Sequence, residues 1–132
     1  MSQPRRVVSV TEGRALLKRA KPSKYKSRKT TVDGIVFDSA KEARRYQELR
    51  LLNKAGQIRN LHRQFDFELQ TVGSDRRVHV VAYYIADFVY HERTAEGAWV
   101  RVVEDCKGYR TAMYRLKAKW LKLQDGITIR ET

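Results

Sequence analysis

Cysteine is nearly missing from this chain of 132 residues: Cys106 stands alone. It can neither close an internal disulfide nor build a zinc cluster by itself, and an intracellular protein is expected. No run of about 18 apolar residues occurs, so a transmembrane helix is excluded on length. The basic N-terminus is followed by no apolar stretch of the kind a secretory signal needs. His62, His79 and His91 show no metal-binding spacing, and no internal repeat is visible. Acidic residues are also scarce, with 15 Asp and Glu against 28 Lys and Arg, a formal net charge of +13. A field of that sign favours a polyanion, with nucleic acid ahead of an anionic membrane.

The charge is unevenly spread. Residues 1–30 hold ten Lys or Arg, among them Lys24, Lys26, Arg28 and Lys29, against the single Glu12. This stretch reads as a basic, partly flexible arm, leaving residues 31–132 as one domain with an apolar share sufficient for a core.

Within that domain, Asp33-Gly34 between β-branched residues predicts a tight hairpin, because both residues tolerate positive φ. A helix is expected from Ser39 to about Ala55, stopped by Gly56, with Ala43, Tyr46, Leu49 and Leu52 turned to a sheet. Glu42 falls on the same inward stripe. Ser39-x-x-Glu42 is also a capping-box pattern, so Glu42 has a structural reading beside a chemical one. Phe65, Phe67 and Leu69 alternate with polar residues as in a strand with one wet face, and Gln64 begins that pattern. Val78–Tyr90 and Trp99–Lys107 read as two further strands. A second helix is expected over Thr111–Gln124, with Met113, Leu116, Trp120 and Leu123 as its apolar stripe, and Ile127–Ile129 as a last short strand. The expected fold is α/β in the order α-β-β-β-α-β: a mixed four-stranded sheet flanked by helices, its fourth strand added by a helical crossover.

Two strand ends carry acids that packing does not require. Asp87 interrupts the apolar run Ala82–Tyr90, and Glu104-Asp105-Cys106-Lys107 closes the next strand. Strand alternation sends Asp105 and Lys107 to one face, about 7 Å apart, and Glu104 and Cys106 to the other. Carboxylates gathered in this way repel one another, and a hard divalent cation relieves the repulsion. A neighbouring lysine then orients or deprotonates a water, or offsets negative charge on a phosphate. A one-residue slip of register would exchange Glu104 for Asp105.

Asp87, the triplet Asp105-Cys106-Lys107 and a helical Glu42 resemble the signature of the PD-(D/E)XK (restriction-endonuclease-like) nuclease superfamily, with Ala86 where the superfamily has proline. The segment from Val32 to Tyr46 is similar to the opening of small phage and prophage proteins regarded as endonucleases or Holliday-junction resolvase-like enzymes. The resemblance runs over roughly residues 24–130. It implies a Mg²⁺-dependent endodeoxyribonuclease, with Mn²⁺ as a substitute, acting on branched or structured DNA in phage DNA metabolism inside a bacterial cytoplasm. Asp87, Asp105, Glu42 and the Cys106 carbonyl would ligate metal, and Lys107 would be the catalytic lysine. Gln64 and Glu104 are secondary candidates. Arg44, Arg45, Arg110, Arg115, Lys117, Lys119 and Lys122, together with the arm, are expected to follow the DNA backbone. A homodimer follows from the resemblance alone, and neither a membrane nor a nucleotide cofactor is expected. The competing reading is a non-catalytic nucleic-acid-binding protein on a nuclease-like scaffold.

Overall fold

The computed structural model describes residues 28–132, so the expected arm, Lys24 and Lys26 included, lies largely outside the described residues. The fold is α/β. A two-stranded hairpin of β1 (Thr30–Val32) and β2 (Ile35–Phe37) leads into α1 (Ala40–Lys54). Strands β3 (Ile58–Val72), β4 (Val78–Arg93) and β5 (Trp99–Asp105) follow, then α2 (Ala112–Asp125) and β6 (Arg130–Glu131). The main sheet has the order β3-β4-β5-β6. β4 and β5 pair antiparallel, while β6 lies parallel to β5, so the sheet is mixed as the crossover requires.

Local chemistry accounts for these boundaries. Asp33 and Gly34 both take positive φ, 52° and 76°, the geometry of the tightest hairpin turns. Ser39 caps α1 by accepting the Glu42 N–H at 3.1 Å. Thr111 does the same for α2 through the Tyr114 N–H, and Gly126 ends α2 in the left-handed conformation at φ 71°.

The chain divides into two compact units. One comprises, among described residues, 28–65, 86–108 and 129–132; the other comprises 66–85 and 109–128. In the first, Phe37, Ala43, Leu49, Ile58, Phe88, Tyr90 and Val102 form the core, with Tyr46 and Leu52 packed against it. The inward stripe expected of α1 is therefore the one observed. Arg50 also pairs with Asp33, tying the hairpin turn to the helix.

In the second unit α2 differs from expectation. Tyr114 and Leu121 are its buried residues, whereas Met113, Leu116 and Leu123 are exposed. Spacings of three and four match helical geometry on any side of a helix, so the pattern showed an apolar stripe without showing that the sheet takes it. Trp120 is half-buried and donates its indole N–H to the Gln70 carbonyl at 2.9 Å. Gln124 accepts from the Gln70 N–H at 2.7 Å and donates to the Glu68 carbonyl at 2.9 Å. These side chains occupy backbone groups of β3 that an edge strand otherwise leaves open to another chain.

Four other boundaries move. β4 runs past Tyr90 to Arg93, which leaves Asp87 inside the strand rather than near its end, and β5 stops at Asp105, two residues before Lys107. β3 begins at Ile58, well before Phe65, because its first half is broken by positive φ at Asn60 (57°) and Gln64 (51°), which disrupts the two-residue alternation a reader looks for. The last strand is Arg130–Glu131 rather than Ile127–Ile129, since its pairing is set by Glu104 and Asp105 opposite.

Candidate active site

The β4–β5 register runs to Phe88 opposite Glu104, and one step further sets Asp87, within β4, against Asp105 at the end of β5. Their carboxyls are hydrogen-bonded to one another. Asp87 also accepts the Cys106 backbone N–H at 2.9 Å and the Gln64 side-chain amide at 3.4 Å. Burial above all, then the negative charges of Asp105 and Glu42, push the Asp87 carboxyl up to about 9. Asp105 is 3% exposed and Glu42 5%, while Asp87 is half-buried; Asp87 lies within β4, Asp105 at the end of β5 and Glu42 in the first turn of α1. The Lys107 ammonium lies 3.3 Å from Asp105, on the face strand alternation assigns it.

The Glu42 N–H donates to the capping Ser39 hydroxyl, and the charge of its carboxylate raises the pKa of Asp87. Gln64 reaches Asp87 because its residue adopts the left-handed region within a strand, a conformation that costs a non-glycine residue on the order of 1 kcal/mol and clusters at functional sites.

Glu104 does not join this group. It is fully buried and held from three sides: Arg45 grips it through Nε at 2.7 Å and Nη2 at 2.9 Å, Tyr90 donates its hydroxyl at 2.6 Å, and Thr132 stands at 3.5 Å. The question of register is thereby answered for side-chain direction: Asp105 meets Asp87, and Glu104 faces α1. The same contacts occupy Arg45, which the sequence placed along the DNA backbone. Its side chain is tied to Glu104 and, at 2.8 Å, to Glu48, and the bond to Glu104 raises its pKa further. Burial pushes the Tyr90 hydroxyl up to about 12, with the Glu104 bond acting in the same direction. Cys106 packs against the core on this side, and burial pushes its thiol up to about 11.

Arg44, Arg110, Arg115, Lys119 and Lys122 are exposed, as are Arg28 and Lys29; Lys117 is half-buried. Lys41 was not singled out in the sequence, yet its ammonium donates to the Lys107 carbonyl at 3.1 Å and so tethers the segment after β5 to α1. Its position beside Glu42 in the first helical turn was the available signal. Lys41, Arg44, Arg45, Glu48 and Thr132 line a recess of about 210 Å³.

The donor chemistry of the three carboxylates suits a hard divalent cation: oxygen ligands, mutual repulsion, and one carboxyl that cannot readily ionise without a nearby positive charge. As the side chains stand, no group of three or more His, Cys, Asp or Glu is arranged to hold a metal ion among the described residues. No helix among them is long and apolar enough to cross a membrane.

Fold and site together define an α/β protein that brings carboxylates and a lysine together where β5 ends beside the interior of β4. Residues 22–129 match the family described as "Protein of unknown function (DUF1064)", and the chain belongs to that family. No curated protein and no solved structure matches it.

Proposed function

We propose that this protein is a metal-dependent DNA endonuclease of the PD-(D/E)XK type, hydrolysing phosphodiester bonds in branched or otherwise structured DNA. The observation carrying this reading is that buried Asp105 and Glu42 both act with their negative charge on half-buried Asp87, with the Lys107 ammonium 3.3 Å from Asp105. Three mutually repelling acids serve folding poorly, and a fold that keeps them together needs a use for them.

In this reading Asp87, Asp105 and Glu42 would hold Mg²⁺, which when bound lowers the pKa of water and offsets charge on the phosphate. The protein's own groups do the positioning. The Cys106 N–H and Gln64 amide fix the two oxygens of Asp87, and Lys41 holds the carbonyl of Lys107. The Lys107 ammonium, steered by Asp105, is available to orient the attacking water or to neutralise the oxyanion that develops at phosphorus. With the metal bound, Asp87 must surrender its proton, so activity should rise with pH across the neutral range.

A second reading, a non-catalytic nucleic-acid-binding protein, is favoured by the lack of a ready three-ligand arrangement among the described residues. One assay separates the two. Labelled four-way, flap and linear duplex DNA are incubated with the protein and Mg²⁺, Mn²⁺ or EDTA. Metal-dependent cleavage is expected, reduced on the order of 10²–10⁴-fold by Lys107→Ala and abolished by Asp87→Ala or Asp105→Ala, with DNA binding largely kept. Binding without cleavage under every metal condition favours the second reading, and undiminished cleavage in all three variants places the active site elsewhere.

A further inference from the structure

Side chains at odd positions of β4 and β5 form two facing rows. From the acidic pair toward the β4–β5 turn they read Asp87 with Asp105, Val89 with Val103, His91 with Arg101, and Arg93 with Trp99. Six residues separate the first pair from the last, a path of about 20 Å. That length corresponds to roughly six base-pair steps of a duplex.

The two irregular points of β3 add to the same face. At Asn60 and again at Gln64 the backbone enters the left-handed region, and in each case two consecutive side chains contact these rows. The Arg59 guanidinium lies over the Trp99 ring at 4.1 Å, and Asn60 is hydrogen-bonded to His91. Gln64 reaches Asp87, and Phe65 lies beneath Arg101 at 5.3 Å. A regular strand would send one member of each pair to the other face; a bulge re-aims it. Leu61, by contrast, packs into the core, and Arg63 lies over Phe37 at 4.6 Å.

The result is a face with acids at one end and cations along its length. Among the described positions named here, Asp87 and Asp105 are the sole carboxylates, while Arg59, Arg93 and Arg101 are exposed and His91 is half-buried. Buried Val89 and Val103 form a dry divide of one residue pair between the acids and the cations. Stacking on Trp99 and Phe65 restrains two of the arginines, so less conformational freedom is lost when they meet an anion.

We propose that this face is a nucleic-acid backbone track: Arg59, Arg93 and Arg101 bind phosphates of the DNA that leads away from the acidic cluster. The proposal rests on the endonuclease reading for its substrate, but binding is measured separately from cleavage. Affinity for a 30-base-pair duplex and for a four-way junction is determined by fluorescence anisotropy in EDTA over a range of KCl. The proteins compared are the wild type, Arg59→Gln/Arg101→Gln, Arg93→Gln and Arg59→Lys/Arg101→Lys.

The double Gln variant should bind at least about 10-fold more weakly at moderate salt, and its slope of log affinity against log salt should be shallower by about 2, one unit per lost phosphate contact. Arg93→Gln should lower the slope by about 1, and the Lys pair should keep most of the wild-type slope because the charge remains. Thermal melting of each variant identifies a loss caused by misfolding, and Arg93→Gln, which removes no ring contact, supplies the slope if the double variant melts early. Wild-type affinity and slope in folded Gln variants would overturn the track even if the protein cleaves DNA. A reduced slope in a protein that never cleaves would uphold the track and remove the endonuclease reading.

Discussion

The two faces of one short stretch of sheet treat charge in opposite ways. On the side toward α1, each acid of β4 and β5 has a committed cation: Arg45 clasps Glu104 through two nitrogens, and Arg130 clasps Glu92 through two at 3.0 Å each. The Tyr90 hydroxyl bridges the two pairs, donating to Glu104 and accepting from Arg130 at 3.3 Å. On the other side Asp87 and Asp105 lie against each other, with one ammonium, that of Lys107, 3.3 Å from Asp105, and arginines stand further along the strands. Glu104 and Asp105 are adjacent in the chain, so nothing about local composition distinguishes them. Position on the pleat decides: Glu104 is enclosed by a bidentate guanidinium, whereas Asp105 is set beside a second carboxylate and shares one ammonium.

The sharpest way to break this contrast is to remove the closed acid. Glu104→Ala leaves the Arg45 guanidinium without its main partner near the core, and a loss of about 3–5 kcal/mol in urea unfolding is expected. If Glu104→Ala were as stable as the wild type while Asp105→Ala unfolded readily, the two faces would have been assigned the wrong way round. Tyr90→Phe should cost less, about 1–3 kcal/mol, because it deletes two hydrogen bonds of the same network but leaves no charge unpaired.

The open face should respond to pH with the opposite sign from an ordinary paired acid. The folded metal-free protein keeps a proton on Asp87 up to about 9, whereas the unfolded chain releases it near 3.8. More protons are bound in the folded state between those values, so its stability should fall as pH rises through that window. Asp87→Asn abolishes the dependence and should raise the melting midpoint at pH 8 on the order of 5 °C, as measured by calorimetry. Mg²⁺ should stabilise the wild type at that pH and release protons on binding, and should leave Asp87→Asn nearly unchanged. A midpoint for the wild type that is flat with pH would show that Asp87 and Asp105 do not share a proton.

The smallest expected effect concerns Gln64. Glycine accepts φ 51° without strain, so Gln64→Gly should equal or exceed the wild type in stability, by up to about 1 kcal/mol. Loss of the amide that orients Asp87 should nevertheless lower metal affinity or cleavage by about 10–100-fold. Parallel loss of stability and activity would mean that the side chain only supports the strand.

Much of the candidate site was legible because strand and helix periods are short and local. Asp105 and Lys107 share a face, Glu104 faces away, and Glu42 lies on the inward stripe of α1; each follows from counting residues. Less could be read for β3, where Asn60 and Gln64 break the alternation at residues with no required glycine. Asn tolerates the left-handed region better than most residues and was a faint signal; Gln64 carried none. On α2 the count found the apolar residues Met113, Leu116 and Leu123 but assigned them to the buried side, which Tyr114 and Leu121 occupy.

What the amino-acid order determined by itself, then, was the succession of elements, the hairpin at Asp33-Gly34, the caps at Ser39 and Thr111, and the excess of positive charge. These depend on neighbours a few residues away. Tertiary structure alone decided that Arg45 belongs to Glu104, that Lys41 holds the Lys107 carbonyl, and that Arg59 and Arg101 lie over Trp99 and Phe65. Such pairings join residues 36 to 66 positions apart, and they form only once strand register and bulges have set which side chains stand opposite one another.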